Sequence, residues 1–473
     1  MKKFGHLKMT IPGSNQKQPH KLASGKSRLP GIKALILLFC VLLITLNGNV
    51  IKAQGKIWSV DDCIKYALEQ NIQILKARVV TNIDEEYVLL AKAGRLPSLS
   101  ASARQNFSWS NQSNTTTGAT VFKGSDGTNI SASSNVTLFN ARKIQNNIRK
   151  SETDYEAGKY NVEVIKENIS LSVLNAYLQV LYAEEQVKNT TNQVNSTSEQ
   201  LKLAEERMNL GVISNSDYLL VKSQLANENL TLATASSQLE INRVTLMQFM
   251  ELQVSADFRI ARPNLDSMIN LERFPSSQEV YKTALEFKPE VKNAELNKKS
   301  SQLSVDLARA DYFPNVSMNA GLSTSYSGNN TGSSFGTQLN NNFSPSVGLS
   351  LAIPIYLNRQ VKTRVEVARM NTTNAELDES NTKNILRKAI EQAVLDVTSS
   401  QIEFEASSQQ YQAAKESFDV ASEKYTQGIM NSVDFLIQRT NFITAESAFL
   451  QSKYKLIFSY KILDFYQGVP LSL

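Results

Sequence analysis

The side chains that most often perform chemistry are scarce in this chain. It contains two histidines, His6 and His20, and two cysteines, Cys40 and Cys63. We expect residues 1–53 to be removed, which leaves Cys63 alone. Without histidine, a Ser–His–Asp triad, a HExxH zinc site and a Cys/His metal cluster are all excluded, and one cysteine cannot form an intrachain disulfide. No motif supports catalysis by carboxylates alone. The sequence therefore predicts a protein that is not an enzyme, with no metal site and no cofactor.

Residues 1–53 have the features of an export signal. They contain nine Lys or Arg and no Asp or Glu, and an apolar run occupies residues 34–46. Thirteen residues are too few to span a bilayer comfortably but match the apolar core of a signal peptide. Removing nine of the 50 basic residues leaves 41 against 44 acidic ones, a net charge of −3. The basic pI thus belongs to the leader, and nucleic-acid binding loses its electrostatic support.

Two turn motifs, 217 residues apart, hold the candidate functional residues. Each is predicted to be a tight turn between two long helices, with a glycine at positive φ just after the first helix. An aspartate follows in each motif and is predicted to cap the next helix, with Ser214 or Asn431 as its partner. The glycines are Gly211 and Gly428, the apolar turn residues are Val212, Ile213, Ile429 and Met430, and the aspartates are Asp217 and Asp434.

The same offset aligns nearly the whole mature chain without a gap, which indicates an internal duplication. The first repeat is predicted at 54–277, with a helix at 60–94, a β-hairpin at 97–140, a long helical hairpin at 141–250 and a linker at 251–277. The second repeat is predicted at 278–473, with a helix at 278–311, a β-hairpin at 314–357, a long helical hairpin at 358–466 and a short tail. Each long helical segment carries an apolar seam that steps by three and four residues, which predicts coiled-coil packing.

Each predicted hairpin alternates apolar and polar residues. Leu99, Ala101 and Ala103 alternate with small polar residues, and Val347, Leu349 and Leu351 do so in the second repeat. Period two over about ten residues fits a transmembrane β-strand, but a soluble hairpin with one buried face alternates as well. The export signal favours the membrane. The connections at 111–129 and 328–345 are rich in Asn, Ser, Thr and Gly, which predicts solvated loops.

Two hairpins per chain give four strands, too few to close a barrel, and open strand edges are not tolerated in hydrocarbon. The strands are therefore expected to pair with other copies in a closed ring. Three chains would give twelve strands and a wide lumen. The predicted fold class is a mixed α and β membrane protein whose barrel continues into a tube of long coiled-coil helices.

The two turn motifs and the duplicated layout resemble the TolC-type outer-membrane efflux family. Leu96-Pro97 and Phe313-Pro314 before the hairpins, and Leu138-Phe139 and Ile355-Tyr356 after them, carry the resemblance further. It implies a homotrimer in the lipid of the cell outer membrane, with an α-helical tunnel in the periplasm. It also implies a periplasmic adaptor protein and an inner-membrane pump of the RND, ABC or MFS type. The implied activity is that of a passive exit duct in tripartite efflux or type I secretion.

The resemblance also assigns roles to residues at the turns. It implies that Asp434 contributes to an acidic ring at the periplasmic entrance, and that Asp217 and Tyr425 hold the tip closed. Met430 departs from the family, where a basic residue belongs to the same lock. The apolar turn residues would dock the adaptor. Helix capping alone would equally account for both aspartates.

A second class of protein also fits the pattern. A periplasmic coiled-coil scaffold or adhesin, with its β-hairpins forming a soluble head, would show the same duplication and the same helical seams. Solubility without detergent would favour this alternative, and dependence on detergent would favour the duct.

Overall fold

The computed structural model describes residues 56–113, 118–263, 275–330 and 332–471. The predicted signal peptide at 1–53 and residues 264–274 of the predicted linker lie outside this part of the chain. In the first repeat the elements are β1 (Ile57–Trp58), α1 (Val60–Gln70), α2 (Ile72–Ala93), β2 (Ser98–Ser113), β3 (Thr120–Phe139), α3 (Lys143–Asn209), α4 (Asn215–Phe249) and β4 (Arg259–Ile260). In the second they are α5 (Ser277–Phe287), α6 (Pro289–Ala310), β5 (Asn315–Ser327), α7 (Phe335–Asn341), β6 (Ser344–Ala352), α8 (Gln360–Thr426) and α9 (Ser432–Tyr466).

The helix predicted to open each repeat is divided in two. α1 and α2 meet at Asn71, and α5 and α6 meet at Lys288, and both residues have extended backbones with ψ near 125°. Asn71 caps α2, because its side-chain oxygen accepts a hydrogen bond from the backbone N–H of Gln73 at 2.9 Å. Pro289 opens α6 and disfavours helical geometry at the residue before it. Continuous apolar periodicity hid both breaks.

The long helices form as predicted, with 67 residues in each of α3 and α8 and 35 in each of α4 and α9. α3 packs along α4, and α8 packs along α9. The predicted seam supplies the buried positions of each pair. In α3 these include Ile169, Val173, Ala176, Val180, Ala183, Thr190, Thr197 and Ala204, and in α8 they include Leu386, Ile390, Ala393, Val397, Ser400, Ser407 and Ala421.

The strands form one antiparallel sheet in the order β2–β3–β5–β6. Its apolar face is not covered by the rest of the described chain, and the exposed fractions reach 82% at Leu99 and 72% at Leu349. On the opposite face, serine hydroxyls pair across neighbouring strands, as between Ser100 and Ser133 at 3.0 Å. The predicted alternation is therefore present as two chemically different faces.

The predicted loop at 111–129 is wrong over most of its length. The β2–β3 ladder continues as far as the pair Ser113 and Thr120, well inside the segment predicted as loop. Small polar residues sustain it, because their side chains also bond across the hairpin, as between Ser108 and Ser125 at 2.8 Å. In the second repeat the connection contains α7. Gln338 of this helix is buried, and its amide donates to the carbonyl of Asn330 at 3.0 Å.

A second, smaller sheet joins the two ends of the first repeat. β1 and β4 pair in parallel, so the start of the described chain meets the residues after α4. The hydroxyl of Tyr177 on α3 donates to the carbonyls of Trp58 and Ala261, at 3.2 and 2.6 Å. Cys63 is fully buried in the same cluster, and burial raises the pKa of its thiol to about 12.

No helix within the described residues combines the length and the apolarity needed to cross a bilayer.

Candidate functional site

The two predicted turns have the same backbone structure. Gly211 and Gly428 follow α3 and α8 and have φ values of 71° and 79°. In the first turn the N–H of Val212 donates to the carbonyl of Arg207 at 2.8 Å, and in the second the N–H of Ile429 donates to the carbonyl of Lys424 at 2.9 Å. This bond from the residue after the glycine back into the helix is the Schellman arrangement, which depends on a residue in the left-handed region.

Ser214 and Asn431 are the N-caps of the helices that follow, and Asp217 and Asp434 lie three residues later. Ser214 accepts a hydrogen bond from the backbone N–H of Asp217 at 3.1 Å, and the carboxylate of Asp217 accepts one in return from the backbone N–H of Ser214 at 3.3 Å. In the second turn the side chain of Asn431 accepts from the backbone N–H of Asp434 at 2.8 Å and donates to its carboxylate at 2.7 Å. Asp434 is exposed. The predicted capping box is complete at the first turn, whereas at the second the bond to the Asp434 carboxylate comes from the side-chain amide of Asn431.

Contacts between the two turns hold the tip together. The Arg207 guanidinium donates to the carbonyls of Tyr425 and Thr426 at the end of α8, at 3.3 and 2.7 Å. A cation at this position satisfies carbonyls that the helix leaves free and opposes the negative end of its dipole. The hydroxyl of Ser432 donates to the carboxylate of Asp217. This bond, with those from Ser214, lowers the pKa of Asp217.

The predicted partners Asp217 and Tyr425 lie at the same tip but make their closest contacts elsewhere. The ring of Tyr425 stacks on Phe435 of α9, with centroids 4.5 Å apart, and the Arg207 guanidinium lies 6.0 Å from the Tyr425 centroid. Sequence reasoning missed Arg207 and Ser432. A basic residue in the last turn of α3 was a usable signal for Arg207, because cations favour helix C-termini. Nothing in the sequence indicated that Arg207 would donate hydrogen bonds to the last carbonyls of α8.

Tyr425 is also the first ring of an aromatic ladder between α8 and α9. The rings recur at seven-residue intervals on each helix, and contacts alternate between the two. Phe418 and Phe442 stack at 5.0 Å, and Tyr411 and Phe449 stack at 5.1 Å. The first repeat has Val, Leu or Met at most of the equivalent positions. Offset-stacked pairs stabilise packing beyond their buried area, so aromatic stacking contributes to the seam of the second hairpin.

The tip presents apolar side chains to its surroundings. Val212 is 69% exposed and Ile429 is 71% exposed, whereas Ile213 and Met430 are half-buried. Leu210 at the end of α3 is exposed as well. Clustered exposed aliphatic residues are typical of surfaces that bind another protein.

Replacing Gly428 by Val is expected to destabilise the tip. A Cβ atom there would meet nothing within 4 Å, so the cost comes from the positive φ alone. A left-handed backbone costs a residue other than glycine about 1–2 kcal/mol. Limited proteolysis should cut Gly428→Val faster within residues 427–431 than wild type. Gly428→Asn is the matched control, because Asn adopts this geometry more readily, and equal cleavage of Gly428→Val and wild type would refute the prediction.

Above the tip, one buried ion pair connects the two helical hairpins. Arg439 of α9 is 2% exposed and Glu228 of α4 is 5% exposed, and Arg439 Nε lies 3.2 Å from Glu228 Oε1. The guanidinium also donates to the Gln200 side chain and to the Gln193 carbonyl of α3, each at 2.9 Å. Thr197 of α3 donates to the same carboxylate. Three helices from both repeats therefore meet at one charged group.

A second buried cation lies at the break between α5 and α6. Lys288 is completely buried, and its ammonium lies 3.0 Å from the carboxylate of Glu167 on α3 and 3.1 Å from the ring centroid of Phe465. The equivalent residue of the first repeat is Asn71, whose amide donates to the carbonyl of Phe249 at 3.0 Å. In both repeats the residue at the helix break therefore contacts the last turn of the long helical hairpin, through a hydrogen bond in the first repeat and a cation–π contact in the second.

The Glu167 carboxyl is expected to make stability depend on pH. Burial raises its pKa above the ordinary 4.5, although Lys288 opposes the shift. Between 4.5 and the raised pKa the folded state holds a proton that the unfolded chain releases, so stability should fall as pH rises through this window. Thermal unfolding of the helical circular dichroism signal would measure this slope. Glu167→Gln should flatten it, and an unchanged slope would contradict the assignment.

Among the described residues, no group of three or more His, Cys, Asp or Glu side chains is placed to hold a metal ion. The arrangement described above consists of turns, caps, an apolar tip and a buried cross-link between hairpins. Among the described residues it joins the ends of the two helical hairpins and leaves apolar side chains exposed there.

The sequence is similar to that of known proteins. Residues 63–250 and 280–468 match the family model for "Outer membrane efflux protein". The chain is 25% identical to outer membrane protein TolC of Escherichia coli (strain K12) in an alignment of 265 residues that covers 53% of this chain and 51% of TolC. The match thus spans about half the length of this curated relative.

Solved structures share the fold at lower identity. A membrane protein from Pseudomonas aeruginosa is 16% identical, with a TM-score of 0.75 over 86% of this chain and 92% of that one. The CmeC outer membrane channel of Campylobacter jejuni is 17% identical, with a TM-score of 0.71 over 90% of this chain and 91% of its own. Because the family match covers both repeats and most of the chain, the protein belongs to the outer membrane efflux protein family and is an outer-membrane protein.

Proposed function

We propose that this protein is a passive exit duct, through which substrates leave the periplasm or an inner-membrane pump for the exterior. One observation carries the proposal. A four-stranded sheet, apolar on one face and unpaired at both edges, continues directly into helices of 67 residues. A sheet of this kind in a membrane must be closed by other strands, because hydrocarbon does not satisfy free backbone groups.

A homotrimer is the proposed assembly. Three copies of the sheet give twelve strands, enough for an open lumen, whereas two copies would give eight and a filled interior. The serine-rich face would line the channel and the apolar face would contact outer-membrane lipid. The helices would form the wall of a tunnel in the periplasm.

The proposed partners are a periplasmic adaptor and an inner-membrane pump of the RND, ABC or MFS type. Energy for transport would come from the pump. The exposed apolar residues at the tip support docking of an adaptor there. The same architecture would serve tripartite efflux or type I secretion.

The alternative, a periplasmic scaffold with a soluble β head, is disfavoured by the uncovered sheet face. A soluble head would bury the apolar side chains of its strands, whereas Leu99, Val347, Leu349 and Leu351 are all more than 60% exposed. Membership of an outer-membrane family points the same way.

Liposomes containing the purified mature protein test the proposal. They should release trapped fluorescent sugars up to a size limit, and release should require an intact oligomer by light scattering in detergent. Heat-dissociated protein serves as the control. Retention of the smallest sugar by vesicles that contain the intact oligomer would refute the duct.

Asp434→Ala is expected to weaken block of the channel current by divalent cations severalfold. In a trimer, three copies of this exposed carboxylate would surround the axis and attract cations. Single-channel recording measures the blocking concentration. Asp434→Asn is the matched control for loss of charge alone, because an amide can still bond to Asn431. Block equal to wild type in both variants would remove Asp434 from the gate.

A further inference from the structure

Within the part of the chain that the structure describes, the sheet ends in two free edges, β2 and β6, and all nine residues of β6 are exposed. Free edges bind other strands, so an unpaired edge in a membrane implies a partner. The internal duplication of the chain supplies enough information to identify that partner and its alignment.

The 217-residue offset holds in the structure as well as in the sequence. Within the first hairpin Ala101 pairs with Ala132, and within the second Met318 pairs with Leu349. Each residue of the second pair lies 217 positions after its counterpart in the first. The two hairpins therefore have the same register.

The contact between the hairpins is the pairing of β3 with β5. Ala132 pairs with Leu322, and the ladder is regular from Gly127 to Val136. In a closed ring of identical chains, the next contact is that of β6 with β2 of a neighbouring copy. We assume that this contact has the same register as the contact between β3 and β5. Adding 217 to the number of a β3 residue gives its counterpart in β6, and subtracting 217 from the number of its β5 partner gives the counterpart in β2 of the neighbour.

We propose that β6 pairs antiparallel with β2 of a neighbouring copy in a specific register. Leu349 pairs with Gln105 of the neighbour, Leu351 with its Ala103 and Val347 with its Phe107. All nine residues of β6 then have partners within β2. The inference rests on the proposed oligomeric duct and specifies its seam.

The two faces of the sheet provide an independent check. Val347, Leu349 and Leu351 lie on the apolar face, and so do Ala103 and Phe107 in β2. Residues directly opposite each other in an antiparallel pair lie on the same face, so the proposed register joins Leu351 to Ala103 and Val347 to Phe107 as apolar pairs, with Gln105 the one polar partner on this face. A shift by one residue would place serines on the lipid side along the whole seam.

The helices agree with this assembly. α6 packs between α3 and α8, whereas α2 contacts α3 and leaves its other side open. On α2 the exposed apolar residues are Ile72, Leu75, Val79, Val80, Ile83, Tyr87, Leu89 and Leu90.

The same offset places α2 of the neighbouring copy against α8. Ser300 of α6 donates to Asp154 of α3. The offset replaces Ser300 by Ile83 of the neighbour and Asp154 by Asn371, so these two residues are expected to lie side by side. Val367 and Met370 lie within one helical turn of Asn371 and are 50% and 65% exposed. Burying these side chains against the apolar side of α2 would stabilise the same ring that the strands close.

Cysteine cross-linking in isolated outer membranes tests the register. In a Cys63→Ala background, Leu351→Cys is combined in one chain with Ala103→Cys, and then with Ala101→Cys or Gln105→Cys. Directly opposite residues have Cα atoms about 4.5–5.5 Å apart, within disulfide range, and a displacement by two residues exceeds it. Oxidation should join chains for the Ala103→Cys combination only, as covalent oligomers on a non-reducing gel. Val347→Cys with Phe107→Cys repeats the test at a second pair.

Single-cysteine variants provide the background level of cross-linking. A maximum at Ala101→Cys or Gln105→Cys, or no cross-link at either proposed pair in a protein that is still oligomeric in detergent, would overturn the register and leave the duct intact. A protein that is monomeric in detergent and conducts nothing would instead refute the proposed function.

Discussion

Arg439→Met is expected to destabilise the helical hairpins by about 3–5 kcal/mol. Arg439 and Glu228 are almost fully buried, and the substitution leaves the carboxylate of Glu228 inside the protein without a counter-charge. Breaking a buried pair by removing one partner costs this much because the remaining charge has lost its hydration. Urea unfolding of the helical circular dichroism signal in detergent measures the change.

The double variant Arg439→Met with Glu228→Met separates burial of a charge from loss of packing. With both charges gone, apolar side chains of similar volume can fill the site, so the double variant should recover most of the stability. Lys455→Met is the matched control, because Lys455 and Glu403 are paired at 2.5 Å but are about half exposed. Its cost should stay below about 1 kcal/mol. A loss of stability in Arg439→Met no greater than in this control would contradict the account.

The pair also has a structural consequence for the tip. Arg439 joins α9 of the second repeat to α3 and α4 of the first, so the two hairpins cannot slide past each other without exposing or separating the charges. Arg207 and Ser432 make a second set of contacts between the same hairpins at the turns. Both sets must break or rearrange in any movement that separates the hairpins.

Leu349→Arg is expected to reduce assembly in the outer membrane. Leu349 lies near the middle of β6 on the apolar face and is 72% exposed in the single chain. A charged residue on the lipid face of a barrel costs about 2–4 kcal/mol at mid-bilayer and much less near the interfaces. The measured quantity is the fraction of SDS-resistant oligomer in outer-membrane extracts.

Ser346→Arg is the matched control for this substitution. Ser346 lies three residues before Leu349 in β6 and on the opposite face, where its hydroxyl donates to the carbonyl of Gly321 at 3.4 Å. A cation there would face the polar interior, so assembly should remain close to wild type. The reverse result, with normal assembly of Leu349→Arg and loss of Ser346→Arg, would mean that the two faces are assigned the wrong way round.

Features that depend on local sequence were predictable. Glycine at positive φ, an aspartate that caps the next helix and a seam with a period near 3.5 residues all follow from residues close together in the chain. Gly211, Gly428 and Asp217 accordingly have the predicted local geometry, and Asn431 caps the last long helix. Their part in a gate or in docking remains a prediction.

Long-range polar contacts were not predictable in the same way. Arg439 lies between Phe435 and Phe442 on the α9 seam, so its burial could have been inferred from spacing. Its partner could not, because Glu228 lies 211 residues away. The offset does not help, since the equivalents of Arg439 and Glu228 are Lys222 and Ala445, which cannot form the same pair.

The breaks at Asn71 and Lys288 and the long β2–β3 ladder were missed for a different reason. Apolar periodicity continues across a helix break when both helices bury the same side, so the pattern carries no mark of it. Polar strands lack a strong signal because Ser, Asn and Thr occur in loops as often as in ladders. At Lys288 the following proline, Pro289, was a local signal for the break that the continuous periodicity obscured.

Planar-bilayer recording of the detergent-purified mature protein tests the central claim most directly. The account predicts discrete channels of uniform conductance from the intact oligomer, with cation block that depends on Asp434. An oligomer that inserts into the bilayer but never conducts, or a protein that remains soluble without detergent, would contradict the claim that this chain forms a duct.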